Sequence, residues 1–119
     1  MTIRKREKMK IKQIIEIDGI ELLNKIDVDL EKQVTGCYIS DLLSWVMAHA
    51  KEGEAWLTIM NHLNILAVAS LLDLSCIIVA EGEKVSEEVV KVADEKNVIM
   101  LSSKYNLYQT AKLLSGLGL

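Results

Sequence analysis

The chain has 119 residues, half of them hydrophobic but only 4% aromatic, with no Phe and no Pro. That length fits one domain of ordinary size, and its core must be aliphatic. The formal net charge of -3 argues against a broad phosphate-neutralising face, so nucleic acid is not an expected partner.

The charge is unevenly placed. Met1 to Lys10 carries five Lys/Arg against one Glu, net +4, which leaves 9 basic and 16 acidic residues, net -7, for the rest. Residues 1–10 therefore read as a basic flexible tail and 11–119 as the folded domain. A mean hydropathy of +0.23 is high for so short a chain and points to apolar surface covered by a second chain. Cys37 and Cys76 are the two cysteines. With no CxxC and no signal-peptide pattern, a reduced, cytoplasmic setting is expected.

Taken in chain order, Lys10 to Ile17 has apolar residues at helical spacing, ended by Asp18-Gly19. Ile20 to Leu23 reads as a short strand and Asn24 to Gln33 as a polar connection. Val34 to Ile39 is a strand, after which Ser40 is placed to cap a helix over Leu42–Ala50, with Asp41 at its positive end. That helix is apolar nearly all round, which predicts burial on every side. Trp56 to Met60 is the next strand. Asn61 is placed to cap a second apolar helix, Leu63 to Leu72, expected inside the core.

Leu63 to Ala80 is long enough to suggest a membrane span. Asn64, Ser70, Asp73 and Ser75 interrupt it, and Asp73 near its middle would be costly in hydrocarbon. Helix, turn and buried strand (Ser75 to Ala80) is the better reading, so no membrane is expected. Ser86 then caps a third helix with Glu87 and Glu88 in its first turn, and Asn97 ends it. Val98 to Leu101 is the last strand, Ser102-Ser103 a turn, and Asn106 opens a final helix.

Strands alternating with helices predict a three-layer α/β/α sandwich with a mainly parallel sheet of about four to five strands. The loops Ser40-Asp41, Asn61-His62, Glu81-Gly82 and Ser102-Ser103 follow strands and precede helices. They gather at the carboxyl edge of such a sheet, where ligands bind. Ser40, Asp41, Asn61, His62, Asn64, Glu81, Ser102 and Ser103 are thus the candidate ligand-binding residues.

The run VTGCYISDLLSWVMAHAKEGEAWLTIMNHLNILAVASLLDLSCIIVAEG, with SEEVVKVADEKNVIMLSS and NLYQTAKLL after it, resembles the DRTGG domain family. The likeness covers nearly everything after Lys10. Its local strings are Val34-Thr35-Gly36, Ser40-Asp41-Leu42-Leu43, Ala50-Lys51-Glu52-Gly53 and His62-Leu63-Asn64-Ile65. The resemblance implies an α/β/α domain similar to the amino-terminal domains of HPr kinase/phosphorylase and MurF. It implies a regulatory or assembly module that accompanies enzymes without carrying their catalytic residues. The name-giving Asp-Arg-Thr-Gly-Gly string is absent, and Asn61-His62 stands where related domains often have Asp-Arg.

The residues themselves offer no catalytic set. None of the six glycines begins a GxxxxGK phosphate loop, which argues against a kinase. Cys37, His49, His62 and Cys76 are the types that bind zinc, but their spacings of 12, 13 and 14 contain no local ligand pair. No metal and no cofactor are expected. His62 is the better placed histidine, opening a helix at the ligand edge, although merely covering that helix is the favoured explanation. Trp45 and Trp56 have the shape to stack on a base, yet a Trp on an all-apolar helix more often packs in a core or an interface.

These readings converge on a non-enzymatic regulatory module that self-associates as a homodimer, with Leu42, Trp45 and Val46 at the interface and Trp45 as its anchor. Its other partners would be a partner enzyme or a small ligand. The alternative is a sensor of a nucleotide or another anionic metabolite at the carboxyl edge. An enzyme using His62 is the weaker alternative, since no nucleophile–base pair accompanies it.

Overall fold

Residues 9–119 are described in the computed structural model. In chain order the elements are β1 (Met9–Lys10), α1 (Ile11–Ile15), β2 (Ile20–Leu22), β3 (Gln33–Val34) and β4 (Gly36–Ile39). They continue with α2 (Leu43–His49), β5 (Glu54–Thr58), α3 (Asn64–Leu72) and β6 (Cys76–Val79). The chain closes with α4 (Glu87–Glu95), β7 (Met100–Ser103) and α5 (Leu107–Gly116). Residues 1–8 of the expected basic tail lie outside the described residues. Met9 and Lys10 do not belong to a tail: they pair antiparallel with Val34 and Gln33.

The main sheet has five strands in the order β2-β7-β6-β5-β4. β4, β5, β6 and β7 are parallel, and β2 closes the other edge antiparallel to β7. Of the central strands, β6 is apolar at every position and β5 from Ala55 onward carries only apolar or β-branched residues, as strands covered on both faces must. Their side chains alternate between two cores. Ala55, Leu57, Cys76, Ile78 and Leu101 face a layer with Ile11, Ile14 and Leu114 from α1 and α5. Trp56, Ile77, Val79 and Met100 face a layer with Val46 of α2, Ile65, Leu66 and Ala69 of α3, and Val89 and Ala93 of α4. The molecule is the expected three-layer α/β/α sandwich with a mainly parallel sheet.

Helix ends follow local chemistry. The Ser86 hydroxyl accepts the Val89 N–H at 3.2 Å, and Asn106 and Gln109 form a reciprocal capping box. Asp73 and Asn97 terminate α3 and α4 in the left-handed region, at φ 54 and 56, as short polar side chains permit. The polar connection after β2 is pinned to α1 by Glu31, which pairs with Lys10 at 3.1 Å and Lys12 at 2.9 Å. Those hydrogen bonds hold its carboxyl below the usual range.

Several expectations change. α2 and α3 are not apolar-packed on every side. α2 buries Val46 and exposes Leu42, Trp45 and Met47, while α3 buries Ile65, Leu66, Val68 and Ala69 and exposes Leu71. Ser40 and Asn61 cap neither helix, because the N-cap positions are Leu42 and Leu63. Ser102 and Ser103 do not form a turn; they are the last two residues of β7, and Ser103 is fully buried. The strand expected over Val34–Ile39 is broken at Thr35, so that Gln33–Val34 pairs with β1 and Gly36–Ile39 with β5.

Candidate functional site

All four parallel strands end at one edge of the sheet, and the loops that leave them are hydrogen-bonded to one another. The first link joins β4 to β5. The Asp41 carboxylate accepts the Thr58 hydroxyl at 2.6 Å and the Ile59 N–H at 2.9 Å. Asp41 is thus a bridge between loops and gives no cap to α2. Ser40 accepts the Leu42 N–H on its hydroxyl and the Trp56 indole N–H on its carbonyl.

The second link joins β5 to β6, where the Asn61 side-chain amide donates to the Lys84 carbonyl at 2.8 Å. The third joins β6 to β7. Glu81 N–H donates to the Tyr105 carbonyl at 2.7 Å and Gly82 N–H to the Ser103 carbonyl at 2.9 Å. Both residues have positive φ, 68 and 61. The fourth link reaches β2: Lys104 N–H donates to the Gly19 carbonyl at 3.0 Å and the Tyr105 hydroxyl to the Asp18 carbonyl at 2.7 Å.

Between the second and fourth links lies an open cleft of about 300 Å³. One wall is Gly19, Glu21 and Leu23 from β2 and its flanks, another is the Gly82–Val85 loop, and the floor is Ser102, Ser103 and Lys104. The 81–84 segment is held at both ends, by the Glu81 and Gly82 N–H groups at one and by the Lys84 carbonyl at the other. Gly19 has φ +96, and a Cβ there would stand 2.7 Å from Lys104 Cε and from the Tyr105 ring. Close approach of β2's turn to β7 therefore requires glycine.

The eight candidate ligand residues divide. Ser102 and Ser103 line the cleft. The Ser103 hydroxyl is already engaged with Thr110 at 2.8 Å, which leaves Ser102 as the accessible hydroxyl. Ser40, Asp41 and Asn61 hold the loops together. Glu81 is exposed and shapes the segment entering the cleft. His62 and Asn64 are exposed on the turn into α3 and form no part of the cleft lining.

Glu21, Glu83, Lys84 and Lys104 belong to the cleft and were not anticipated. The available signal was the polar Glu21 between Ile20 and Leu22, which marks a strand with one uncovered face.

A second feature lies at the β4–β5 end of the same edge. Leu42 is 59% exposed and Trp45, one helical turn on, 54%. Ile39 and Ile59, at the ends of β4 and β5, are also exposed, but they share strand parity with Cys37 and Leu57, which face the α1–α5 layer, whereas α2 covers the other face. Leu42 and Trp45 together are the candidate contact surface. Val46, expected at this surface, is 0% exposed; it points into the α2–α3–α4 core. Trp56 is fully buried in the same core, so it offers no stacking face. His49 tilts against the Trp45 ring at 4.3 Å between centroids and braces it.

At the opposite, amino edge is a larger hollow of about 940 Å³, bordered by Met9, Gln13, 33–35 and 115–119 and containing no charged side chain. Cys37 and Cys76 are free thiols, one strand apart on the α1–α5 face. Burial pushes them up to about 11 and about 12, far from reactive thiolates. Among the described residues, no group of three or more His, Cys, Asp or Glu is arranged to hold a metal ion, and no helix is long and apolar enough to cross a membrane.

A family model described as "DRTGG domain" matches residues 14–117. Among solved structures, the chain is similar to the CBS and DRTGG domains of the regulatory region of Clostridium perfringens pyrophosphatase, determined with its activator diadenosine tetraphosphate. The TM-score is 0.71 at 16% identity over 88% of this chain. At that identity the likeness is one of fold. This chain spans 45% of that one, less than half. No curated protein matches the sequence.

Proposed function

The chain belongs to the DRTGG domain family, and from that premise we propose that it is a non-catalytic regulatory module that self-associates and senses a small ligand for a partner enzyme. The observation that carries self-association is the exposed apolar pair Leu42 and Trp45 at the start of α2. Leaving such groups in water forgoes about 25 cal/mol per Å², and a two-fold partner would cover the same patch on both copies. Two free thiols fit a reduced, cytoplasmic setting.

Sedimentation equilibrium tests this reading. The protein should sediment as a dimer at tens of micromolar, and Trp45→Glu should yield monomer with the fold intact by circular dichroism. A wild-type protein that stays monomeric at that concentration would sink the argument.

The ligand-sensing half is supported by the preformed cleft with Lys84 and Lys104 on its rim. The related pyrophosphatase region was solved with a nucleotide activator, which makes a nucleotide or another anionic metabolite the first class to screen. Ligand binding to the native state raises the melting temperature by mass action. A broad panel that leaves it unmoved would count against sensing at this edge. An enzymatic role for His62 gains no support from its position on an exposed turn, outside the cleft lining.

A further inference from the structure

The cleft carries charge of both signs, and most of the backbone amides around it are already spent. Two lysines, Lys84 and Lys104, and two glutamates, Glu21 and Glu83, line it, a formal sum of zero. Among the described residues, Glu21, Glu83 and Lys84 make no ion pair, and Lys104 reaches Asp18 only at 4.0 Å. Phosphate sites in loops of this kind use free backbone N–H groups. Here the N–H groups of Glu81, Gly82 and Glu83 are taken by the carbonyls of Tyr105, Ser103 and Ala80. Those of Lys104 and Tyr105 go to Gly19 and to the Ser103 hydroxyl.

We propose that this cleft takes a small zwitterion, bearing one cationic nitrogen and one anionic group, in preference to a polyphosphate. The proposal rests on the ligand-sensing reading and specifies its ligand class. Glu21 and Ser102 are partners across the β2–β7 register, so carboxylate and hydroxyl stand side by side on one face as acceptors for an ammonium. Lys84 and Lys104 supply the matching cations from the loops on either side. Leu23 and Val85 both pack against the α2–α3–α4 core and give the ligand's carbon skeleton an apolar contact. The volume of about 300 Å³ stands at the lower limit of ligand pockets, which run from roughly 300 to 1,000 Å³. A polyphosphate would bring several negative charges to a neutral cleft on a chain of net charge -3, with few N–H groups of the lining, those of Lys84 and Val85 among them, left to receive them.

The test is thermal shift and isothermal titration on the full chain. The probes are the standard L-amino acids, γ-aminobutyrate, AMP, ATP and diadenosine tetraphosphate. At least one zwitterion should raise Tm by several degrees, while the nucleotides leave it unchanged. Glu21→Gln and Lys84→Met should each weaken that binding about tenfold, as loss of one charge-assisted hydrogen bond does. Both positions are exposed, so the unliganded Tm of each variant should match wild type. Nucleotide binding that Lys84→Met abolishes would overturn the zwitterion while leaving ligand sensing intact. Zwitterion binding that neither variant weakens would overturn the cleft. Silence from every probe would overturn the proposal together with ligand sensing at this edge.

Discussion

The Asp41 carboxylate and the Thr58 hydroxyl meet at 2.6 Å, across the gap between the loops that follow β4 and β5. Thr58 is fully buried, and its hydroxyl accepts the Met60 N–H at 3.1 Å while donating to Asp41 alone. Asp41→Ala should destabilise the fold by about 2 kcal/mol, the cost of a buried hydroxyl proton without an acceptor plus the lost Ile59 bond. Thr58→Val added to it should recover little, because it removes the stranded hydroxyl but also the acceptor of the Met60 N–H. Denaturant unfolding of the two variants against wild type checks both statements.

The two tryptophans should behave as opposites. Trp56 is 0% exposed and Trp45 is 54% exposed. Trp56→Ala should cost about 4 kcal/mol through the cavity it leaves. Trp45→Ala should change the stability of one chain by no more than about 0.5 kcal/mol. The Trp45→Phe protein should keep a blue-shifted emission that iodide does not quench, and Trp56→Phe a red-shifted, quenchable one. Where association covers Trp45, its quenching should fall as protein concentration rises.

Glu81 holds φ 68 with a long side chain, a conformation that costs non-glycine residues about 1 kcal/mol. Its backbone bond to Tyr105 keeps it there. Glu81→Gly should therefore cost nothing or stabilise by up to about 1 kcal/mol. Gly19→Ala should do the reverse and lose about 2 kcal/mol, from positive φ and from crowding against the Tyr105 ring. Paired thermal melts distinguish the two signs.

The thiols give a pH signature. Cys37 and Cys76 are raised from an ordinary 9.0 to about 11 and about 12 by burial, with Glu54 adding to the effect on Cys37. In the unfolded chain they ionise near 9; in the folded chain they stay protonated. The unfolded state then binds fewer protons, so stability falls as pH rises above 9 and is full below it. Cys76→Ala, compared with its own value at neutral pH, should lose less stability between pH 9 and 11 than the parent does. Thiol reagents at pH 8 should label Cys76 only on unfolding.

Much of this fold is written in local pattern. The continuous apolar strings Ala55-Trp56-Leu57 and Cys76-Ile77-Ile78-Val79 permit little but buried parallel strands, and Ser86 and Asn106 cap as their chemistry dictates. What local pattern does not carry is which side of a short apolar helix meets the sheet. α2 and α3 have too few polar residues to reveal the exposed face, so Val46 and Trp45 are alike in sequence and opposite in burial. Side-chain partners across long separations are also silent. Asn61 and Asp41 look like caps, yet they bond to Lys84 and Thr58, at separations of 23 and 17 residues. The cleft depends on β2 lying against β7, an antiparallel edge that no repeating strand–helix alternation announces.

That pairing of β2 with β7 has a consequence for how the protein comes into being. Ile20 sits opposite Ser103, so one wall of the cleft is synthesised well before its floor. The parallel core from β4 to β6 can assemble from successive neighbours as they emerge. The edge cannot close until the chain through Ser103 has left the ribosome. The cleft therefore takes shape only after the parallel core, and a truncated product lacking β7 would leave the edge of β2 unpaired.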